Sequence, residues 1–248
     1  MEDINCWEYK FKLCEYSSKL LNLLSLSNKK VDKPICITQV QKSVYYARKY
    51  HGSQLRKSGE PYYSHPLEVA YLFAKYTVEE DRLYYTSDLI VTAVLHDTIE
   101  DTELTQEMIA EIFNDSVASK VKDLTRIKFD RKITAGETVN ALFLQHKKDL
   151  LHIKLFDRLH NMRTISSISL EKRKKITEET FDYFILLAEW LELNEIKQEL
   201  IDICNQYYLS IKPSYLHQEY DQRIFSFEDT YQILSQVSQN RVPRRQNL

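Results

Sequence analysis

Glycine and proline are scarce in this chain, with 3 Gly and 5 Pro among 248 residues. That leaves little material for the tight turns and edges of a sheet protein. No long run alternates between apolar and polar at period two, so no sheet is expected. The four cysteines, Cys6, Cys14, Cys36 and Cys204, are dispersed and form no CxxC pair. That spacing argues against a zinc ribbon or a disulfide framework and suits a reducing compartment. No segment approaches the roughly 18 uninterrupted apolar residues of a membrane span. The first residues lack the basic and then apolar pattern of a secretory leader. Neither sign of charge dominates: 34 Lys and Arg stand against 36 Asp and Glu, a net charge of −2. Nothing in that balance points to a nucleic-acid partner. The expectation is a soluble, cytoplasmic protein with no membrane partner.

What is abundant is Leu, Ile, Lys and Glu at helical spacing, so the expected fold is all-α. Residues 4 to 26 pattern as one amphipathic helix or a broken one. Thr38 is placed to cap a helix from Gln39 to His51. Gly52 to Pro61 is a loop, and Pro66 suits the start of the next helix, which runs to about Lys75. Further helices are expected from about Asp88 to Glu100, from Gln106 to Phe113 with Thr105 as cap, and from Val117 to Ile127. Lys128 to Ala135 is polar and reads as a loop. Helices resume over Glu137–Gln145, Asp149–Met162, Leu170–Leu193 as one or two, and Ile196–Leu209, with Pro213 ending the last.

Three polar groups interrupt the apolar stripes of these helices. His96 lies seven residues after Leu89, and Asp97 seven after Ile90, so both continue a stripe aimed at the interior. Asp157 does the same after Leu150 and Ile153. A carboxylate or imidazole turned into a core is costly unless something compensates it. His65, just before Pro66, stands at a helix entrance on a fixed backbone. Two histidines and two aspartates, His65, His96, Asp97 and Asp157, are a plausible N/O ligand set for a divalent first-row metal. Glu100 and Asp101 follow His96 and Asp97 at i+4, so a helix that persists would carry both acids one turn beyond the ligands.

Four stretches now stand in order: Arg56-Lys57-Ser58-Gly59-Glu60-Pro61-Tyr62, His65-Pro66-Leu67, His96-Asp97-Thr98-Ile99-Glu100-Asp101-Thr102, and Lys154 through Thr164 with its Asp157-Arg158-Leu159-His160-Asn161-Met162-Arg163. Together they resemble the hydrolase half of the RelA/SpoT homologues, HD-superfamily enzymes that remove the 3′-pyrophosphate of (p)ppGpp. The similarity spans roughly residues 38 to 216 and continues into the helical segment after the hydrolase core. It implies an HD-type helical bundle with one Mn²⁺ in its core, held by His65, His96, Asp97 and Asp157. It implies that Glu100 and Asp101 act on the attacking water. Arg56, Lys57 and Ser58 would hold the guanine nucleotide, ppGpp or pppGpp, and Asn161 and Thr164 would contact its guanosine part. Lys57 and Arg158 would balance phosphate charge.

The implied organisation is an N-terminal helical extension over 1–37, the HD hydrolase domain and its following segment over 38–216, and a C-terminal tail over 217–248. That tail shows no nucleotidyltransferase pattern, so synthesis is not expected. The chain departs from the family in two places. The glycine of the helix turn near Leu191-Glu192-Leu193 is missing, and Phe129 to Ala135 diverges. Two other readings compete with hydrolysis of the alarmone: a non-catalytic (p)ppGpp sensor, and an HD phosphohydrolase for another nucleotide. His160 is read as orienting a ligand. His51, His146, His152 and His217 are read as structural or solvent-facing, and the Tyr84-Tyr85 and Tyr207-Tyr208 pairs as helix packing.

Overall fold

The computed structural model describes residues 6–128 and 131–211. The chain divides into two compact units, one reaching Arg173 and the other beginning at Lys174. The first holds α1 (Trp7–Lys10), α2 (Glu15–Ser27), α3 (Ile37–His51), α4 (Ser64–Glu79), α5 (Ser87–Leu95), α6 (Thr98–Asp101), α7 (Gln106–Ile112) and α8 (Asp115–Leu124). It continues through β1 (Ile127–Lys128), β2 (Arg131–Lys132), α9 (Ala135–Leu144) and α10 (Lys148–Arg163). Helix α11 (Leu170–Glu179) runs across the boundary. The second unit contains α12 (Ile185–Trp190) and α13 (Asn194–Ile211). The fold is all-α apart from β1 and β2, whose antiparallel pairing sets Ile127 opposite Lys132.

Two helices form the centre of the first unit. Every residue of α5 from Leu89 to Leu95 is buried, as is every residue of α10 from Leu150 to Phe156. For α5, apolar nearly all round, no face gains from meeting water; α10 buries His152 and Lys154 as well, and Lys154 is paired with Asp157. Around them pack α3, α4 and α8. Phe73 of α4 meets Phe156 of α10 edge to face, with ring centroids 6.4 Å apart. Truncating either ring would leave a cavity costing about 3–5 kcal/mol. Helices α1 and α2, part of the segment expected as an extension, lie in this same unit, with α2 against α3 and α4.

Side-chain caps account for four of the helix starts. Thr86, Thr105, Asn114 and Thr134 each accept a hydrogen bond from the backbone N–H three residues on, and Glu137 closes a reciprocal box with Thr134. Thr38 is an exception to the expectation. It lies inside α3, which begins at Ile37 after Cys36 with no side-chain cap.

The helix expected from Asp88 to Glu100 is broken where the site residues lie. Helix α5 stops at Leu95, because side chains take its last carbonyls. The His96 ring Nδ1 donates to the Ala93 carbonyl (2.9 Å), and the Thr98 hydroxyl donates to that of Leu95 (2.7 Å). The carbonyl of Asp97 then accepts from the N–H groups of Glu100 and Asp101 and starts α6. The stretch read as a loop over Lys128–Ala135 holds the second residue of β1, β2 and the first residue of α9. Strands of two residues are too short to print a period-two pattern.

In the second unit, α11 leads into α12 through a π-type turn over Thr180–Phe184. The C-terminus of α12 closes on Glu192, whose φ of 64° is left-handed, while the Leu193 N–H returns to the Ala188 carbonyl (2.8 Å). It falls in the Leu191-Glu192-Leu193 turn, where the resemblance leads to the expectation of glycine. Among the described residues no helix is long and apolar enough to cross a membrane. All four cysteines are free thiols. The expected tail over 217–248 and the stop at Pro213 lie outside the described residues.

Candidate metal and nucleotide site

His65, His96 and Asp157 come from three helical contexts and meet at one point. His65 lies in the first turn of α4, one residue inside the entrance expected for it, and is buried. His96 follows the end of α5, and Asp157 faces inward from α10. The Asp157 Oδ1 lies 3.1 Å from His65 Nε2 and 3.8 Å from His96 Nε2. One ligand atom from each of the three lies within 4.8 Å of the other two.

The donor set fits a cation. The Nδ1 of His96 donates its proton to Ala93, so in the neutral form, the one that binds a metal, the ring presents the lone pair of Nε2 toward Asp157. A lone pair facing a carboxylate oxygen is repulsive unless a positive charge lies between them. His65 also turns Nε2 toward Asp157, while its Nδ1 pairs with His160 Nδ1 at 2.9 Å and burial pushes its pKa down, which favours the neutral ring that ligates a metal. Asp97 is not among the three. It is buried, its Oδ1 lies 3.3 Å from His51 Nε2, and its Oδ2 has no hydrogen-bond partner. A buried carboxylate oxygen without a protein partner, next to His96, is placed to ligate a cation.

The charges of this centre support one another. Burial opposes ionisation of Asp97, but His96, His51 and His65 outweigh it and hold its carboxyl at about 2. Burial likewise opposes the Asp157 anion, and Lys154 and the two histidines hold its pKa well below the carboxylate range. Lys154, one turn earlier on α10 and buried, donates to Asp157 Oδ2 at 2.8 Å, leaving Oδ1 to the histidines and Asn161. Burial and the neighbouring charges of His65 and Arg56 push His160 down to about 3, so it stays neutral beside His65. Against burial, Asp97 and Asp157 push His96 up, and Asp97 pushes His51 up.

Glu100 and Asp101 stand on α6 but face different partners. Glu100 is held by Arg126, through the backbone N–H and the guanidinium, and by Lys132. Those contacts, against burial, keep its pKa low. Asp101 Oδ2 accepts from the Tyr62 hydroxyl at 2.7 Å. The Tyr62 ring stacks on His51 at 4.7 Å, and His51 also meets Gln54, which donates to the Asp101 carbonyl. His51, Gln54 and Tyr62 therefore tie Asp97 to Asp101.

The basic loop reaches the same centre. It is closed by Arg56 N–H bonding to the Glu60 carbonyl, with Gly59 in the left-handed region at φ 91°. Arg56 Nη2 donates to Asn161 Oδ1 and to Thr164 Oγ1, each at 3.2 Å. Asn161 Nδ2 in turn donates to Asp157 Oδ1 at 2.7 Å. Lys57 is exposed, the exposed Ser58 hydroxyl bonds Glu60, and Arg158 is buried.

Sequence reasoning passed over six contributors: His51, Gln54, Tyr62, Arg126, Lys132 and Lys154. Lys154 carried a readable signal, as a cation three residues before Asp157 on a buried helix face. His51 was set aside as structural or solvent-facing, and the structure places it buried against Asp97.

The fold is shared with a solved structure described as a metazoan ortholog of SpoT that hydrolyzes ppGpp and plays a role in starvation responses. The TM-score is 0.54 at 21% identity, over 68% of this chain and 94% of that one. A Brucella ovis protein named GTP pyrophosphokinase rsh is 37% identical over 174 residues, which cover 68% of this chain and 22% of that protein. An Aquifex aeolicus protein named guanosine-3′,5′-bis(diphosphate) 3′-pyrophosphohydrolase is 38% identical over 172 residues, 68% of this chain and 24% of that protein. The chain thus spans less than a quarter of the length of these curated relatives. A family model described as the HD domain matches residues 43–193, which include every residue of the site above. On that match, the chain belongs to the HD-domain family.

Proposed function

We propose that this chain hydrolyses the 3′-pyrophosphate of ppGpp and pppGpp, giving GDP or GTP and pyrophosphate, and that the divalent ion it uses is Mn²⁺. The observation that carries this reading is the bonded chain from Arg56 through Asn161 to Asp157. It joins a basic loop suited to a nucleotide directly to the candidate metal centre. The names borne by the Aquifex aeolicus and Synechocystis relatives point to the same reaction. The location that goes with this reading is the cytoplasm.

In this reading His65, His96, Asp97 and Asp157 hold the ion. When bound, it supplies Lewis acidity toward phosphate oxygens and water. Arg56, with its planar fork, Lys57 and Ser58 hold the nucleotide, and Asn161 and Thr164 contact its guanosine part. Lys57 and Arg158 balance phosphate charge. Glu100 or Asp101 accepts the proton of the attacking water. The water oxygen bonds to the phosphorus attached to the 3′ oxygen, and the bond between that phosphorus and the 3′ oxygen breaks. The 3′ oxygen takes a proton and becomes a hydroxyl, while the diphosphate departs with the new oxygen. The domain carrying this chemistry is taken as 38–216.

The test is direct. Metal-stripped protein is incubated with ppGpp, with and without Mn²⁺, and GDP and pyrophosphate are followed. Equal release of both, only with Mn²⁺, supports the reading. Binding of ppGpp without release overturns hydrolysis and leaves a sensor. Neither binding nor release overturns the choice of nucleotide.

A further inference from the structure

Hydrogen bonds tie the loop that carries Arg56, Lys57 and Ser58 to three other parts of the fold. Gln54 donates to the Asp101 carbonyl at 3.1 Å, and Arg56 reaches Asn161 and Thr164. The third tie comes from α2: the Tyr16 hydroxyl donates to Glu60 Oε1 at 3.4 Å. Glu60 closes the loop. Its carbonyl accepts from the Arg56 N–H at 2.9 Å, and its Oε2 accepts from the Ser58 hydroxyl at 3.3 Å.

The helix fixes where Tyr16 stands. Tyr16, Leu20 and Leu24 recur every four residues along one face of α2, and both leucines are fully buried. Lys19 fastens the same helix to α4. Its Nζ donates to the two Glu68 carboxylate oxygens at 2.9 and 2.7 Å and lies 4.2 Å from the centre of the Tyr71 ring. Just ahead of α2, Arg48 of α3 bonds to the Lys12 carbonyl and lies over the Tyr63 ring at 5.1 Å. The hydroxyl therefore reaches Glu60 from a rigid support and not from the loop itself. Burial and the charge of Glu60 push the Tyr16 pKa up, so the hydroxyl stays a donor.

Ser58 makes a second donor necessary. A hydroxyl has one proton to give, and Ser58 gives it to Glu60. When Ser58 turns that proton to a nucleotide, Glu60 loses this donor. A carboxylate released beside bound phosphate repels it. Tyr16 is the donor that stays.

We propose that Tyr16 is a positioning residue for the nucleotide: acting through Glu60, it keeps the loop in its binding shape and the carboxylate turned from the phosphates while Ser58 is engaged. The proposal rests on the nucleotide reading above and extends the site to α2, a helix that precedes the residues matched by the HD-domain model.

Tyr16→Phe keeps the ring and removes only the hydroxyl. In the nucleotide-free full chain, the Arg56 and Gly59 amides, which close the loop, should exchange with deuterium about three- to fivefold faster, as the loss of one hydrogen bond allows. The KM for ppGpp with Mn²⁺ should rise about three- to fivefold with kcat within twofold, and GDP titrated in chelator should bind more weakly. Glu60→Ala raises KM by itself, and Tyr16→Phe added to it changes nothing further. Unchanged exchange, or faster exchange with unchanged KM and unchanged GDP binding, would overturn the role. So would an effect of Tyr16→Phe that persists in Glu60→Ala, because the route would not run through Glu60. Hydrolysis of ppGpp by the unaltered chain is scored separately. Absent hydrolysis, with faster exchange and weaker GDP binding in Tyr16→Phe, sinks the reaction and keeps the positioning role; hydrolysis with exchange and KM both unmoved does the reverse.

Discussion

Asp97→Asn separates the two things that Asp97 is argued to do. The side chain keeps its shape and loses its charge. Against burial, the charges of His96, His51 and His65 lower the carboxyl from 3.8 to about 2. At about 1.4 kcal/mol for each pKa unit, that depression contributes roughly 2 kcal/mol to the folded state. The sign follows from the direction. A folded pKa below the unfolded one gives stability that is full above the unfolded value and is lost as the pH falls from 3.8 toward 2. Thermal unfolding by circular dichroism at pH 6 in chelator should therefore place Asp97→Asn about 4–8 °C below the unaltered chain. The gap should close as the pH approaches that of the folded carboxyl. With Mn²⁺ at a thousandfold excess over its dissociation constant, the unaltered chain should gain about 4 kcal/mol by mass action, and the variant far less. A variant as stable as the unaltered chain in chelator would mean that the histidines do not hold this carboxylate. Equal stabilisation of both by Mn²⁺ would remove Asp97 from the ligand set.

Three further changes test other parts of the structure. Arg56→Lys cannot reproduce the paired contacts to Asn161 and Thr164, so the KM for ppGpp should rise about tenfold with kcat little changed, as steady-state kinetics would show. Tyr62→Phe keeps the ring on His51 and removes the hydroxyl on Asp101. Turnover should fall about tenfold while metal content, measured by atomic emission after dialysis, stays constant. Glu192→Gly relieves a left-handed residue at the end of α12 and should stabilise the chain by about 0.5–1 kcal/mol in a urea titration.

The helices were legible because each buried stripe repeats within a few residues. The same logic found His96, Asp97 and Asp157, polar groups where apolar ones belong. It failed where the partner is distant along the chain. His51 and Asp97 are 46 residues apart, and Glu100 and Arg126 are 26 apart. Neither pair leaves a local pattern, because a salt bridge between elements asks nothing of their neighbours in sequence. The break at His96-Asp97 was also hidden. It is made by side chains capturing carbonyls, while the apolar spacing runs on as if the helix were whole. The missing glycine near Leu191-Glu192-Leu193 was visible as a departure, and in the structure Glu192 takes the left-handed conformation there.

Helix α10 carries Asp157, His160 and Asn161, and Thr164 follows at its end. A single rigid rod thus bears the carboxylate facing the ion, the neighbour of the His65 ring, and both groups bonded to Arg56. A substitution anywhere along it that slides or tilts the rod is felt by metal and nucleotide in the same instant. On the proposed reading, a substitution that alters nucleotide preference through this helix would alter metal affinity as well.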